Sequence, residues 1–218
     1  MLFGAIDYLN LLPFQIFLKK YIKNSGLHLG IRKHRDVPSS VNSAFHKGKV
    51  NAAFISSITS KNCKCTDFGI IGKGKVYSVL LVAGEQKDDS ASQTSNALAK
   101  VLHLDGEVLI GDRALKYYLD DGKAIDLSET WFKKTKLPFV FGRLCYNKNE
   151  KFIQKMAKSF GGKKIFIPQY LLKEEASRRS INPNDVKWYL KHINYKMDTK
   201  AKKSLKIFLT KAKRAKLI

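Results

Sequence analysis

The chain has 218 residues, of which 44% are hydrophobic and 27% charged, and these values exclude a disordered or fibrous protein. Its length predicts one or two α/β lobes with a buried core. Lys and Arg number 41 against 18 Asp and Glu, and the resulting net charge of +23 would attract a polyanion or a small acid. Because most of this excess is lysine spread along the chain, we expect a solvated basic surface and do not expect nucleic acid as the partner.

The cysteines and histidines give no pattern typical of a metal or disulfide site. Cys63, Cys65 and Cys145 form an odd C-x-C-plus-one set, so we expect reduced thiols in the cytosol. The histidines are never spaced H-x-x-x-H or H-E-x-x-H, and we therefore expect no metal and no cofactor. No apolar run reaches the roughly 18 residues of a membrane span, and the start lacks the order of a signal peptide. These features predict a cytoplasmic protein that does not enter a membrane.

Apolar periodicity predicts strands and helices that alternate along the first two thirds of the chain. The predicted strands are residues 2–9, 51–55, 68–71, 76–83, 108–110 and 137–146. The predicted helices are residues 38–49, 96–104, 114–119 and 127–135, together with a helix that begins at Pro13 and places Phe14, Phe17 and Leu18 on one face. This β-α-β alternation predicts a parallel or mixed sheet.

The last third of the chain, from residue 149 onward, has a helical pattern. Predicted breaks lie at Gly161–Gly162, at Pro168 and at Pro183, where Asn182 would cap a helix. The final predicted helix, between residues 196 and 216, is strongly basic and has one apolar stripe. We interpret it as an amphipathic helix that packs on the protein, and a nucleic-acid-binding tail is the alternative.

Five short motifs occur in one order along residues 2–146. They are Asp7-Tyr8-Leu9-Asn10-x-x-Pro13, Ser56-Ser57, Ser92-x-Thr94-Ser95, Leu109-Ile110-Gly111-Asp112-x-Ala114-Leu115 and Trp131-x6-Pro138-Phe139-Val140-Phe141. In this order they resemble the chorismate dehydratase family of the futalosine route to menaquinone. The resemblance implies a cofactor-independent hydro-lyase that converts chorismate to 3-enolpyruvyl benzoate and water.

The resemblance also implies the fold, an α/β protein with two lobes and a ligand cleft between them, similar to a type II periplasmic binding protein. Residues 1–80 and 145–218 would form the larger lobe, and residues 81–144 the smaller one. Val79–Val82 and Phe141–Cys145 would be the strands that cross between the lobes. Closure of such lobes around the ligand would exclude water from the reacting centre.

Asn10 is the predicted catalytic residue, because it follows a strand end and its amide could hydrogen-bond the leaving hydroxyl. Its alternative role is to form a turn or helix cap before Pro13. The predicted substrate-binding residues that lie at helix starts, where backbone N–H groups and hydroxyls hold carboxylates, are Ser56, Ser57, Ser92, Thr94 and Ser95. For each of these, N-capping alone is the alternative.

Ser78, Asp112 and Arg143 complete the predicted substrate-binding set. Asp112 could instead be a hinge cap or a partner of Arg113, and Arg143 could be an exposed ion-pairing residue rather than a carboxylate ligand. The motif positions are almost all neutral, which suggests the hypothesis that the enolpyruvyl carboxylate of the substrate takes the proton.

Three other functions stay open from the sequence. One is the sister lyase that forms 1,4-dihydroxy-6-naphthoate from cyclic dehypoxanthinyl futalosine, which shares the fold. The second is a non-catalytic protein that binds a small acid, and the third is a basic nucleic-acid-binding protein. We expect a small dicarboxylate, chorismate, as the partner, and a monomer or homodimer.

Overall fold

The computed structural model describes residues 1–24, 32–161 and 165–218. The strands of these residues are β1 (Leu2–Ile6), β2 (Arg32–Asp36), β3 (Ala52–Ser56), β4 (Cys65–Gly72), β5 (Val79–Val82), β6 (Glu107–Ile110), β7 (Ile125–Asp126), β8 (Phe139–Tyr146) and β9 (Ile193–Lys196). The helices are α1 (Leu12–Asn24), α2 (Pro38–His46), α3 (Gln93–Leu102), α4 (Gly111–Leu119), α5 (Leu127–Thr135), α6 (Glu150–Gly161), α7 (Gln169–Ser177), α8 (Pro183–Leu190) and α9 (Thr199–Arg214). Short 3₁₀ turns lie at Leu9–Leu11 and Ser57–Thr59.

Two separate sheets organise the described residues. The larger has the strand order β2-β1-β3-β8-β4-β9, with β1 parallel to β2 and β3 and the later neighbours antiparallel. The smaller has the order β6-β5-β7 and is antiparallel. The predicted mixed sheet is therefore confirmed. Strands β1, β2 and β3 form its parallel part, and helices α1 and α2 connect these strands along the chain.

The chain leaves the larger sheet after β4, forms the smaller sheet and returns through β8. Val79–Val82, the strand β5, pairs only with β6 and β7, whereas Phe141–Cys145 pairs within the larger sheet. Ladder hydrogen bonds hold each of these two segments inside one sheet, and their role as crossing strands stays a prediction. The passages between the sheets are the connections that precede β5 and β8.

Helix α1 shows how the sequence pattern builds the core. Phe14, Phe17 and Leu18 are buried, as their spacing predicted. The ring of Phe14 packs edge-on against Phe54 of β3 at 4.9 Å and against Phe160 of α6 at 5.2 Å. Burying a side chain of this size contributes about 2–3 kcal/mol, so these contacts fix α1 and α6 on one face of the larger sheet.

The predicted breaks in the last third of the chain agree with the helix ends where the structure describes them. Helix α7 begins directly after Pro168, and Asn182 caps α8 by accepting a hydrogen bond from the N–H of Asn184 at 2.8 Å, whereas the described part of α6 runs to Gly161, where the described residues stop, so that break stays a prediction. Gly162, the other residue of the first predicted break, lies outside the described residues. The basic final helix is α9, and its apolar stripe is buried on the protein.

Cys65 and Cys145 form a disulfide, so the prediction of three reduced thiols is wrong. The two residues lie directly opposite each other on the antiparallel strands β4 and β8, with Cα atoms 3.8 Å apart. They are separated by 80 residues in the sequence, and strand register, which spacing does not reveal, brings them together. Cys63 is a free thiol.

Candidate functional site

A cavity of about 70 Å³ lies where residues of both sheets meet. The ends of β1, β3 and β6 and the start of α3 contribute to its wall, and open α/β sheets bind ligands at such strand ends. The lining residues are Ile6, Tyr8, Asn10, Pro38, Phe54, Ile55, Ser56, Ile70, Val76, Ser78, Val79, Ser92, Ser95, Ile110, Gly111, Phe141, Gly142 and Ile193. The wall is therefore mainly apolar, with one amide and a few hydroxyls.

The structure brings five of the sequence-predicted site residues to this cavity, namely Asn10, Ser56, Ser78, Ser92 and Ser95. Ser57 and Thr94 are buried but do not line it. The hydroxyl of Thr94 accepts a hydrogen bond from the N–H of Ile58 at 3.3 Å, so it ties α3 to the turn after β3.

Asn10 lies in the 3₁₀ turn that follows β1. Its main-chain oxygen accepts a hydrogen bond from the hydroxyl of Tyr195 at 2.6 Å, which fixes the turn. Its side-chain Oδ1 is buried and has no hydrogen-bond partner among the described residues. A buried acceptor without a partner is costly, so this oxygen is available to a ligand hydroxyl inside the cavity.

Ser78 is held by two elements of the core. The buried hydroxyl of Tyr189 donates to Ser78 Oγ at 2.9 Å, and the N–H of Gly111 donates to the Ser78 carbonyl at 2.8 Å. Burial raises the pKa of Tyr189, while hydrogen bonds with the side chains of Ser78 and Asn10 oppose that rise. Tyr189 therefore holds Ser78 and lies close enough to Asn10 for that side chain to affect its pKa, and the sequence does not reveal it because its helical spacing with Val186 is that of an ordinary core residue.

The hydroxyl of Ser56 accepts a hydrogen bond from Asn42 Nδ2 at 2.7 Å, and the Ser56 N–H donates to Asn42 Oδ1 at 2.9 Å. This pairing fixes the side chain and leaves the hydroxyl proton of Ser56 for a ligand. The neighbouring Ser57 Oγ is buried without a partner in the described part of the chain. Ser56 is therefore an oriented donor at the end of β3, whereas nothing in the described part of the chain orients the hydroxyl of Ser57.

Ser92 caps α3, because its Oγ accepts a hydrogen bond from the N–H of Ser95 at 3.2 Å and lies 2.8 Å from Ser95 Oγ. The N-capping alternative is therefore confirmed for Ser92. Since both serines also line the cavity, the N-terminal end of α3 meets it there. The partial positive charge of a helix N-terminus favours an anion at this wall.

Asp112 does not line the cavity and holds the wall from behind. Its Oδ1 accepts a hydrogen bond from the N–H of Leu9 at 3.0 Å, and its Oδ2 pairs with Arg179. Burial raises the pKa of Asp112, and the Arg179 guanidinium opposes that rise. Arg113, the partner considered from sequence, pairs instead with Asp89 at 2.7 Å. Asp112 is thus occupied in fixing the turn that carries Asn10.

Contrary to the prediction of a cleft residue, Arg143 lies outside this cavity. Its Nη1 donates to the carbonyl and the hydroxyl of Ser60, both at 3.3 Å. The side chain of Arg143 leaves β8 on the side of α9, whereas the preceding residue Gly142 lines the cavity. The physical reason is an irregularity in the pairing of β8 with β4 between Ile70 and Ile71.

Tyr8 is the ionisable side chain in the wall of the cavity. Burial, with the carboxylates of Asp89 and Asp112, raises the pKa of Tyr8 to about 12, so its hydroxyl is neutral at ordinary pH. Among the described residues that line the cavity there is no Asp, Glu, His, Lys or Arg. Within the described ranges, no three His, Cys, Asp or Glu side chains are grouped to hold a metal ion. The site offers hydrogen bonds and shape, without a side chain that would serve as a base at neutral pH.

No helix in the part of the chain that the structure describes is long and apolar enough to cross a membrane.

Comparison with solved structures shows the fold. Over its whole length the chain is similar to the protein AF1704 from Archaeoglobus fulgidus, with a TM-score of 0.70, 15% identity and coverage of 98% of that chain. It is also similar to the alkanesulfonate-binding protein SsuA from Xanthomonas axonopodis bound to MOPS, with a TM-score of 0.66, 11% identity and coverage of 98% and 91% of the two chains. The predicted fold, that of a periplasmic binding protein, is therefore confirmed.

Comparison of sequences shows the family. A family profile described as menaquinone biosynthesis matches residues 1–105 and 94–214. The chain is 44% identical over 218 residues to a chorismate dehydratase of Campylobacter jejuni, covering 98% of both chains. It is 25% identical to a chorismate dehydratase of Thermus thermophilus, covering 90% of this chain and 94% of the relative. The chain belongs to the menaquinone-biosynthesis family that contains these chorismate dehydratases.

Proposed function

We propose that the protein is a chorismate dehydratase that converts chorismate to 3-enolpyruvyl benzoate and water. The identity of 44% across the length of the Campylobacter jejuni relative supports this reaction. The structural observation that carries the proposal is the buried Oδ1 of Asn10, which has no hydrogen-bond partner among the described residues, in a cavity whose described wall contains no carboxylate or imidazole. Such a site suits a reaction that needs orientation rather than a strong protein base.

The substrate carboxylates bind the hydroxyl-rich part of the wall. Ser56 and Ser78 present hydroxyls held by Asn42 and Tyr189, and Ser92 and Ser95 surround the N-terminal end of α3. Because these donors are fixed before the ligand arrives, little ordering is needed on binding. The apolar remainder of the wall accepts the ring.

The elimination breaks one ring C–H bond and the neighbouring C–O bond and completes an aromatic ring. The enolpyruvyl carboxylate of the substrate takes the ring proton and passes the same proton to the departing ring hydroxyl, which leaves as water. Asn10 Oδ1 accepts a hydrogen bond from that hydroxyl and holds it in the orientation for departure. The gain of aromaticity supplies most of the driving force, so the protein contributes geometry and excludes water.

Substrate entry requires the walls of the cavity to separate, because about 70 Å³ is far below the roughly 300 Å³ of a typical ligand site. We therefore keep the proposal of two lobes that close over chorismate, expected from the sequence as residues 1–80 with 145–218 and residues 81–144, and we move its boundaries to the connections before β5 and β8 so that each strand stays in the lobe of its sheet. The connections before β5 and β8 are the places where such motion would be accommodated. The protein would act in the cytoplasm as a monomer or homodimer.

The test is to incubate the purified protein with chorismate, without added metal or cofactor, and to follow the loss of one water by chromatography and mass spectrometry. Asn10→Ala should lower kcat by about 10²–10³-fold, as loss of an oriented hydrogen bond does in other enzymes. Asn194→Ala is the control, since Asn194 is an exposed residue of β9 that does not line the cavity.

No turnover of chorismate by the wild-type protein would refute the dehydratase, and cyclic dehypoxanthinyl futalosine would then test the sister lyase. Full activity of Asn10→Ala would refute the role of that amide while leaving the reaction in place.

A further inference from the structure

A second cavity, of about 460 Å³, lies between α9 and the opposite face of β8. The described residues of its wall include the carboxylate of Asp67 and five cationic side chains. The cations are those of Lys61, Arg143, Lys202, Lys206 and Lys213. Lys202 pairs with Asp67 at 2.7 Å, and Asp67 is the one carboxylate among the described residues of the wall, against five cations. A concave surface with this excess of positive charge concentrates anions.

Arg143 is the half-buried cation of this cavity. Its Nε is buried and has no hydrogen-bond partner among the described residues. None of the ion pairs found in the described ranges includes Arg143. Burial lowers the pKa of Arg143, since desolvation disfavours the charged guanidinium. The Asp67 carboxylate and Cys63 oppose this lowering only in part, so an anion bound in the cavity would further stabilise the charged guanidinium.

The remaining wall is apolar. Met197, Leu205 and Leu209 line the cavity beside the cations. Lys206 and Lys213 extend from α9 at helical spacing with Leu209, so one face of the helix presents charge and apolar surface together. A ligand that matches this wall carries a multiply charged anionic group and an apolar body.

We propose that this cavity binds a small organic phosphate, with the phosphate on Arg143 and the lysines and the organic part against Met197, Leu205 and Leu209. A phosphate dianion has three acceptor oxygens and nearly two charges, which suits a guanidinium fork surrounded by lysines better than one carboxylate does. The volume lies within the range of small-molecule sites.

The shape and lining of the cavity favour a small molecule over nucleic acid. Single-stranded nucleic acid binds to grooves where aromatic side chains stack on the bases, and none of the described residues of this wall is aromatic. Gly142, the neighbour of Arg143, lines the cavity that contains Asn10, so the two sites lie on opposite faces of β8.

Isothermal titration calorimetry of the full chain with adenosine monophosphate, at fixed salt, tests the proposal. We expect one molecule bound per chain, with affinity reduced about tenfold or more in Arg143→Met and in Lys206→Glu/Lys213→Glu, because each removes charge-assisted hydrogen bonds. The matched control is Lys203→Glu/Lys211→Glu, which changes the net charge equally on exposed positions of α9 that do not line the cavity. Its affinity should stay within about twofold of the wild type.

Two further titrations complete the test. Inorganic phosphate should bind more weakly than adenosine monophosphate, because it lacks the apolar body, and equal affinity would overturn the organic part of the proposal. Asn10→Ala should bind adenosine monophosphate as the wild type does, and a loss there would place the ligand in the other cavity. Absence of binding to the wild type, or equal weakening by both lysine pairs, would overturn the site. The site would also be overturned if a DNA oligonucleotide bound more tightly than adenosine monophosphate and Lys203→Glu/Lys211→Glu weakened that binding too.

Discussion

The substitution Tyr189→Phe tests how the core positions the proposed catalytic groups. Tyr189 is 1% exposed, and its hydroxyl donates to Ser78 Oγ at 2.9 Å. Phenylalanine keeps the ring and its packing and removes only that hydroxyl. The change therefore isolates one hydrogen-bonding group that meets both Ser78 and Asn10.

The cost follows from the burial of the partners. A net hydrogen bond contributes about 1 kcal/mol, and a buried hydroxyl left unpaired costs about 1–3 kcal/mol, so we expect a loss of about 2 kcal/mol in stability. For a chain of this length that corresponds to a fall in Tm of about 4–8 °C. We expect about 1.4 kcal/mol of this loss to fall on the transition state, because Ser78 and Asn10 are then held less firmly, and kcat should fall about tenfold.

Tyr146→Phe is the matched control for this experiment. The hydroxyl of Tyr146 donates to Glu150 at 2.9 Å, and Tyr146 does not line the Asn10 cavity. Both variants lose one tyrosine hydroxyl, and only Tyr189→Phe should lower kcat for chorismate, with KM changed less than about twofold. A lowered Tm with wild-type kcat in Tyr189→Phe would show that Tyr189 only stabilises the fold and would refute the positioning role.

The remaining predictions concern the wall of the Asn10 cavity. Gly111 has φ of +66°, and a Cβ there would come within 2.8 Å of the Tyr8 ring, so Gly111→Ala should lose about 1–3 kcal/mol of stability in urea unfolding and most of its kcat/KM. The control Gly74→Ala, at φ of +89° with open space around it, should lose stability and keep its kcat/KM. Equal kcat/KM in the two variants would contradict the contact with Tyr8. Arg179→Met removes the partner of buried Asp112 and should cost about 3–5 kcal/mol. Burial already raises the pKa of Asp112, and losing Arg179 raises it further, so the variant keeps its stability at low pH and loses it as the pH rises through the folded-state pKa. Urea unfolding at about pH 5 and 8 should therefore show a difference in stability between wild type and variant that widens with pH. A difference that narrows with pH would contradict this sign. Because Tyr8 ionises only as the pH approaches about 12, kcat should be flat between about pH 6 and 9, and a limb near neutrality in the rate profile would point to a titrating protein base.

The elements with strong apolar periodicity could be predicted from the sequence, and those without it could not. Helices α1, α3 and α5 lie within a few residues of their predicted positions. Strand β2 has the sequence Arg-Lys-His-Arg-Asp, which has no apolar alternation, and it forms at the edge of the larger sheet by pairing with β1. Strand β9 is also at an edge, and its four residues are too few to interrupt a helical pattern.

The part of the site near strand ends could likewise be predicted. Asn10 and Ser56 follow apolar strands directly, so their position at the edge of a sheet follows from the local pattern. Tyr189 could not be found in this way, because it comes from α8, more than a hundred residues after Ser78 in the sequence. Its role depends on which element α8 packs against, and that is a property of the tertiary fold.

Arg143 shows how one irregularity reverses a prediction. In a regular strand, residues two apart point to the same face, so Arg143 should share the face of Phe141, which lines the Asn10 cavity. In the pairing of β8 with β4, however, Gly142 lies opposite Ile70 and Val140 lies opposite the next residue, Ile71, which leaves Phe141 as an extra residue. A bulge of this kind shifts the alternation by one position, so that Phe141 and Gly142 both line the first cavity and Arg143 points to the second. The half-buried guanidinium near α9 is therefore a consequence of backbone register, and deleting the bulge would return Arg143 to the face that local alternation predicts.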